Sequence, residues 1–133
     1  MNLATSSLWA VTPEKNIVFG ESLLTIEDIC DIAAGVARVE LSQSPEFTGK
    51  INRGAAFLEK LLADEGAIYG VTTGYGDSCT VAVPEHLVPE LPYHLLRFHG
   101  CGLGDYLSPQ LGMAVLATRL NSLAMGYSGV RLK

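Results

Sequence analysis

The stretch "AIYGVTTGYGDSC" at residues 67–79 limits the possible folds of this chain more than any other. Its three glycines allow backbone conformations that a side chain would block. The preceding residues, "AAFLEKLLADEG" at 55–66, predict a helix that ends at the glycine, and residues 68–71 then predict a short extended piece. A segment of this kind is either a plain surface connection or a mobile loop that presents a side chain.

Size and charge narrow the class of protein. The chain has 133 residues, enough for one domain with a modest core, and we expect a single domain over residues 1–133. Its nine basic residues are scattered and its net charge is −5, which argues against a surface for nucleic acid. No run approaches the roughly 20 apolar residues of a membrane helix. We therefore expect a protein without nucleic acid or membrane as a partner.

The cysteines and the N-terminus bear on the cellular compartment. Cysteines 30, 79 and 101 are odd in number and include no CxxC pair, which favours reduced thiols over a disulfide framework. Residues 1–11, "MNLATSSLWAV", lack the positive charge and the long apolar core of a signal peptide. Both features predict a cytoplasmic protein.

The apolar pattern of the first third predicts strand, helix and strand. Short strands are expected at residues 16–19 ("NIVF") and 38–42 ("RVELS"). Between them, Thr25 followed by Asp28 predicts a helix with a capping box at its N-terminus. The apolar face of that helix holds Ile26, Ile29, Ile32 and Ala33.

Three further helices are predicted, so the fold class is α+β, mostly helical with a few short strands. Ser44–Pro45 begins the first, because proline is tolerated in an opening turn. The second begins near Pro92 and ends at Gly100, and Ser108–Pro109 begins the third. The first of these helices is expected to turn inward Ile51, Ala55, Phe57, Leu58, Leu61 and Leu62.

The last helix is apolar on more than one side. A helix of this kind is buried, so we expect a partner or further sequence to cover it. Its main stripe holds Leu111, Val115, Leu116, Leu120, Leu123 and Ala124, and Met113, Ala114, Ala117 and Met125 widen it.

The sequence lacks the motifs of a nucleotide site and of a metal site. The glycine stretch lacks the GK[ST] ending of a phosphate-binding loop, and the glycines at 100–104 follow a helix instead of a strand. His94 and His99 are five residues apart, about 140° around a helix, so they cannot bind one ion from one face. With no HExxH motif or Cys/His cluster to complete a site, we expect no metal.

Tyr69, at the start of the glycine stretch, has two readings. A tyrosine at the end of a strand commonly packs its ring in a core and leaves its hydroxyl at the surface. Alternatively it is a general base, which requires surroundings that favour the phenolate, because the reference pKa of a phenol is about 10. The residues themselves leave both readings open.

Three ordered motifs are similar to the N-terminal part of the aromatic amino acid ammonia-lyase family: "YGVTTGYG" at 69–76, "LLRFHGCGLG" at 95–104 and "RLNSLAMGYSGVR" at 119–131. Residues 24–42 also resemble the opening helix and strand of that family, which comprises histidine, phenylalanine and tyrosine ammonia-lyases and related 2,3-aminomutases. The resemblance implies the N-terminal domain of a fumarase/aspartase-like helical fold, without its C-terminal helical bundle.

The resemblance also implies a reaction and a set of site residues. The family eliminates ammonia from an L-aromatic amino acid to give an α,β-unsaturated acid, with 4-methylideneimidazol-5-one (MIO) as its electrophile and a tyrosine as its base. Tyr69 matches that base. The active-site loop then includes Gly70, Thr73, Gly74 and Tyr75, and the residues expected to contact substrate are His99, Phe98 and Gly76.

The sequence departs from the family pattern in two ways. MIO forms from Ala-Ser-Gly, which this sequence lacks, so we expect an N-terminal portion that is inactive alone and joins a homotetramer or a complementary chain. His94 replaces an asparagine, and "FH" at 98–99 replaces the "SH", that are common in histidine ammonia-lyases, which argues against histidine as the preferred substrate. Because the imidazole of His99 can pair with a tyrosine hydroxyl or a histidine ring, the expected substrate is tyrosine or histidine, with tyrosine first. A 2,3-aminomutase and a non-catalytic fragment for binding or assembly remain as alternatives.

Overall fold

A computed structural model describes residues 15–64 and 66–132. It confirms a mostly helical fold with two short strands. The segment at 1–11, where we expect no signal peptide, lies outside the described residues. The elements are β1 (Lys15–Phe19), α1 (Ile26–Ala34), β2 (Ala37–Leu41), α2 (Pro45–Ala63), two 3₁₀ segments (Gly76–Thr80 and Glu85–Glu90), α3 (Leu91–His99) and α4 (Pro109–Ala124).

The described residues fall into two compact units. Residues 15–54 and 107–132 form one, and residues 55–106 form the other. Within the described ranges, no helix is both long enough and apolar enough to span a bilayer.

The first unit is built around a two-stranded parallel sheet. β1 pairs with β2 in a register that sets Ile17 opposite Val39. Parallel strands need a crossover, and α1 provides it. Its predicted capping box is confirmed: the Asp28 N–H donates to Thr25 Oγ1 over 3.1 Å, and the Thr25 N–H donates to Asp28 Oδ2 over 2.9 Å.

The core of this unit is small and lies between the sheet and the helices. Its buried side chains are Ile17, Phe19, Ile32, Ala37, Phe47, Ile51, Ala117 and Ala124. Ile32 was expected there and is buried, and Ile29 packs against this core, but Ile26, in the first turn of α1, is 79% exposed. Phe47, which the apolar pattern left out, is buried, and the predicted Phe57 is 66% exposed. Phe57 lies about 120° around the helix from Ile51, so both cannot face one core.

α4 contacts α1 and β1. Ala117 and Ala124 are buried, and their small size allows the helices to approach closely. Three bulky members of the predicted stripe face outward: Leu111, Val115 and Leu116 are 57%, 57% and 66% exposed. The start of the helix is confirmed, since Ser108 Oγ accepts from the Leu111 N–H over 3.3 Å.

The second unit contains the glycine stretch and α3. The predicted extended piece at 68–71 is wrong, because the N–H groups of Val71 and Thr72 both donate to the Ile68 carbonyl over 3.0 Å and form a turn. α3 begins and ends as predicted, with Pro92 in its first turn and the Gly100 N–H donating to Leu96 O over 2.8 Å.

Candidate active site

Tyr69 lies in the turn that opens the glycine loop, defined here as residues 66–83. The residue is 64% exposed. Its hydroxyl oxygen accepts a hydrogen bond from the Gly76 N–H over 3.0 Å. The loop therefore folds back on itself, so that the N–H of Gly76 meets the phenol of Tyr69, seven residues earlier.

Backbone pairing closes the glycine loop. The Gly74 N–H donates to Val81 O over 3.0 Å, and the Val83 N–H donates to Thr72 O over 2.9 Å. Thr73 and Ala82 form an antiparallel bridge between these two bonds. Gly76 then begins the 3₁₀ segment with a φ of 56°, a left-handed conformation that glycine adopts without steric cost.

Thr73 is the buried member of the loop, at 7% exposure. Its hydroxyl accepts from the Gly70 N–H over 3.2 Å and donates to Gly74 O over 3.0 Å. The Thr73 hydroxyl therefore links the backbone of Gly70, the residue after Tyr69, to the backbone of Gly74. All three are residues that the motif placed in the active-site loop.

Thr72 is a further loop residue that the motif comparison did not single out. Its hydroxyl accepts from the Ile68 N–H over 2.8 Å and donates to Gly66 O over 3.0 Å. The signal for it was the doubled threonine in "GVTTG", because threonine hydroxyls commonly bond to nearby backbone in turns.

Tyr75 packs its ring on Tyr69 and on Gly70. The two tyrosine rings meet edge to face with centroids 6.3 Å apart. Gly70 has a φ of 69°, and a Cβ built there would lie 2.7 Å from a ring carbon of Tyr75. Glycine is therefore required at position 70 both for the conformation and for the space.

Phe98 and His99 lie together at the end of α3. Their ring centroids are 4.1 Å apart. Phe98 is 65% exposed, and the His99 ring is exposed and makes no hydrogen bond within residues 15–64 and 66–132. No hydrogen bond or ring contact in those ranges joins this pair to Tyr69, so the expected site residues form two groups, one in the loop and one on α3.

His94, within α3, and Cys101, in the segment that follows it, each have a partner of their own. His94 Nε2 lies 3.5 Å from Glu90 Oε2, and the Cys101 thiol donates to Phe98 O over 3.3 Å. In the described part of the chain, no group of three His, Cys, Asp or Glu side chains is arranged to hold an ion.

A cleft of about 960 Å³ opens beside the loop, among the end of α2, the loop and the segment Glu85–Glu90. Thr72, Thr73 and Cys79 contribute to its lining, whereas Tyr69, Phe98 and His99 do not. The cleft is therefore lined by the loop threonines and not by the expected base or the expected substrate-contacting pair on α3.

Comparison with known proteins assigns the family. The model of the aromatic amino acid lyase family matches residues 24–133. The chain belongs to this family. The chain is 32% identical over 120 residues to histidine ammonia-lyase of Bos taurus and 34% identical over 121 residues to histidine ammonia-lyase of Caenorhabditis elegans.

A solved structure supports the family's fold for this chain. The crystal structure of tyrosine aminomutase from Streptomyces globisporus matches with a TM-score of 0.77 at 32% identity, over 87% of this chain and 22% of that one. The two histidine ammonia-lyases are matched over 90% and 91% of this chain, but over 18% of their own length. The chain thus spans about a fifth of the length of these relatives.

Proposed function

We propose that this segment is the N-terminal part of an aromatic amino acid ammonia-lyase and that Tyr69 is its general base. The observation that carries the proposal is the hydrogen bond from the Gly76 N–H to the hydroxyl oxygen of an exposed Tyr69. The bond fixes the position of the Tyr69 oxygen, and an oxygen held in place at the surface of the loop can be reached by a substrate proton. The contact therefore suits a tyrosine that must accept a proton.

The proposed reaction removes ammonia from an L-aromatic amino acid and leaves an α,β-unsaturated acid. Tyr69 would take the β-proton as its oxygen approaches the substrate, and Gly76 would hold that oxygen while it gains or loses charge. The closed loop around them keeps the donor in place before the substrate arrives, so little reorganisation is needed during the reaction.

The electrophile of the family is not formed by this chain. MIO, which accepts the substrate amine and makes it a better leaving group, arises from Ala-Ser-Gly, and no such triad occurs in the sequence. The described residues therefore do not fit the group, and the proposal for this chain is limited to proton transfer and substrate binding.

His99 and Phe98 are proposed to contact the substrate ring. The His99 ring has both nitrogens free of protein partners within the described ranges, so it can donate to or accept from a tyrosine hydroxyl or a histidine ring. Phe98 packs beside it and supplies an apolar surface. We propose tyrosine first and histidine second as substrates, with phenylalanine last because it offers His99 no polar partner.

The test compares two tyrosines of the loop in the complete enzyme that carries this segment. Tyr69→Phe removes the proton acceptor and should lower kcat by about 10²–10⁴-fold. Tyr75→Phe removes a hydroxyl that makes no hydrogen bond in the described residues and should leave kcat within about threefold. Equal losses in the two variants would contradict the assignment of the base.

A 2,3-aminomutase is the second candidate, and the match to tyrosine aminomutase favours it. It would use the same base but return ammonia to the β-carbon of the product. Analysis of the products from a single substrate separates the two, since a lyase releases free ammonia and a mutase yields a β-amino acid. A non-catalytic fragment would yield neither.

Assembly and compartment complete the proposal. The exposed apolar side chains of α4 support burial in a larger assembly, which we propose to be a homotetramer or a complex with a complementary chain. All three cysteines are free and exposed, which supports a reducing, cytoplasmic environment.

A further inference from the structure

The backbone before Tyr69 is held by the Thr72 hydroxyl. This hydroxyl accepts from the Ile68 N–H over 2.8 Å and donates to Gly66 O over 3.0 Å. It therefore connects the peptide just before Tyr69 to the end of the segment that follows α2. The Thr72 hydroxyl thus uses its one proton and one acceptor position in these two bonds. Together they hold the backbone that precedes Tyr69.

The backbone after Tyr69 is held by the Thr73 hydroxyl. This hydroxyl accepts from the Gly70 N–H over 3.2 Å and donates to Gly74 O over 3.0 Å. Gly74 is two residues from Gly76, whose N–H donates to the Tyr69 hydroxyl. Covalent and hydrogen bonds thus form a closed ring. It runs from Tyr69 through Gly70, the Thr73 hydroxyl and Gly74 to the Gly76 N–H, which returns to the Tyr69 oxygen.

Both threonines also line the cleft of about 960 Å³, but their hydroxyl protons are not available to a ligand there. A hydroxyl has a single proton to donate, and each of these protons already goes to a backbone carbonyl. Thr73 is in addition buried, at 7% exposure. The geometry therefore directs both side chains at the loop backbone.

We propose that Thr72 and Thr73 are positioning residues for Tyr69. Their hydroxyls hold the backbone on the two sides of Tyr69, so that its phenol oxygen stays within hydrogen-bonding distance of the Gly76 N–H. The inference rests on the proposed role of Tyr69 as the base. Small displacements of a reacting group cost rate without unfolding the protein, which makes the role separable from stability.

The first experiment needs no activity. In NMR spectra of the 133-residue chain, the Gly76 amide proton should show a nuclear Overhauser effect to the Tyr69 ring, given the N–O distance of 3.0 Å. Thr72→Val and Thr73→Val should remove most of that intensity, and Thr72→Ser and Thr73→Ser should retain it. Thr80→Val is the matched control, because the exposed Thr80 hydroxyl makes no hydrogen bond within the described ranges.

The second experiment uses the complete enzyme. Each valine variant should lower kcat about tenfold with KM changed less than about twofold, since the loss of one positioning bond acts on the transition state. The serine variants should restore kcat. In a Tyr69→Phe background the valine substitutions should cause no further loss, because residues that act through Tyr69 are not additive with it.

The outcomes separate this inference from the proposed function. Loss of the nuclear Overhauser effect, serine rescue and non-additivity with Tyr69→Phe together support the positioning role. The positioning role is overturned if the nuclear Overhauser effect is unchanged in both valine variants. It is also overturned if both valine variants keep the wild-type kcat while Tyr69→Phe is inactive. Either result leaves Tyr69 as the base. Full activity of Tyr69→Phe overturns the proposed function, and the positioning role with it.

Discussion

The rings of Tyr69 and Tyr75 meet edge to face, with centroids 6.3 Å apart and planes inclined at 89°. The two residues differ at their hydroxyls. The Tyr69 oxygen accepts from the Gly76 N–H, whereas the Tyr75 hydroxyl makes no hydrogen bond within residues 15–64 and 66–132. This difference supports proton transfer as the role of Tyr69 and packing as the role of Tyr75.

Gly70→Ala tests the packing role of Tyr75. Alanine at a φ of 69° costs about 1–2 kcal/mol, and its Cβ would also meet the Tyr75 ring at 2.7 Å. Gly76→Ala is the matched control, with a φ of 56° and no atom within 4 Å of the added carbon. Urea denaturation of the chain should show a larger loss of unfolding free energy for Gly70→Ala. Equal losses would mean that the Tyr75 ring moves aside freely.

His99→Leu tests substrate recognition in the complete enzyme. An unpaired buried hydroxyl costs about 1–3 kcal/mol, so removal of the imidazole should lower kcat/KM for tyrosine by about tenfold or more relative to phenylalanine. The check is a kcat/KM comparison for tyrosine, histidine and phenylalanine, with Phe98→Leu as the control that retains the imidazole. If His99 had only a structural role, its substitution would lower stability and leave the order of substrates unchanged.

Lys15→Met tests an ion-pair cluster of the first unit. Lys15 Nζ lies 2.7 Å from Asp28 Oδ1 and 2.7 Å from Asp31 Oδ2. The hydrogen bond from Lys15, followed by those from Thr25, lowers the pKa of Asp28 from 3.8 to about 2. Hydrogen bonds to Asp28 and Asp31 in turn raise the pKa of Lys15 above its ordinary value of 10.5.

The pH dependence follows from the signs of these two shifts. A lowered carboxyl pKa stabilises the fold above pH 3.8, and that contribution is lost as the pH falls through about 2. A raised lysine pKa stabilises the fold below pH 10.5, and that contribution is lost as the pH rises through the raised value. The wild-type chain should therefore exceed Lys15→Met in thermal midpoint on a plateau between these limits, and the difference should disappear in acid.

The matched control for this cluster is Arg38→Met. Arg38 Nε lies 3.1 Å from Glu40 Oε1 at an exposed site, where ion pairs contribute little. The thermal midpoint of Arg38→Met should therefore equal that of the wild type at every pH. A difference between wild type and Lys15→Met that persisted unchanged down to pH 2 would contradict the assignment of Asp28.

The 133-residue chain by itself should eliminate no ammonia. The sequence has no Ala-Ser-Gly from which the family's electrophile is made, and a base without an electrophile cannot expel an amine. The purified chain should also lack the ultraviolet absorbance of MIO. Steady turnover of any aromatic amino acid by the chain alone would contradict the proposal that this chain supplies the base but not the electrophile.

The sequence alone determined those features that depend on neighbours along the chain. The capping box of Thr25 and Asp28, the start of α4 at Ser108 and the end of α3 before Gly100 all formed as expected. Each is a hydrogen bond or a steric limit within one helical turn, so the local residues suffice to predict it. The ordered motifs likewise sufficed to indicate the family.

The tertiary structure decided which apolar side chains are buried and what surrounds Tyr69. Periodicity assigned Ile26 to an inward face, yet Ile26 is exposed, because contact with the core depends on where a helix lies against its neighbours, which a single helix does not encode. The turn at 68–71 replaced the expected extended piece because the Thr72 hydroxyl bonds across it. The bond between Gly76 and Tyr69 arises only when the loop closes on itself, because it joins groups seven residues apart.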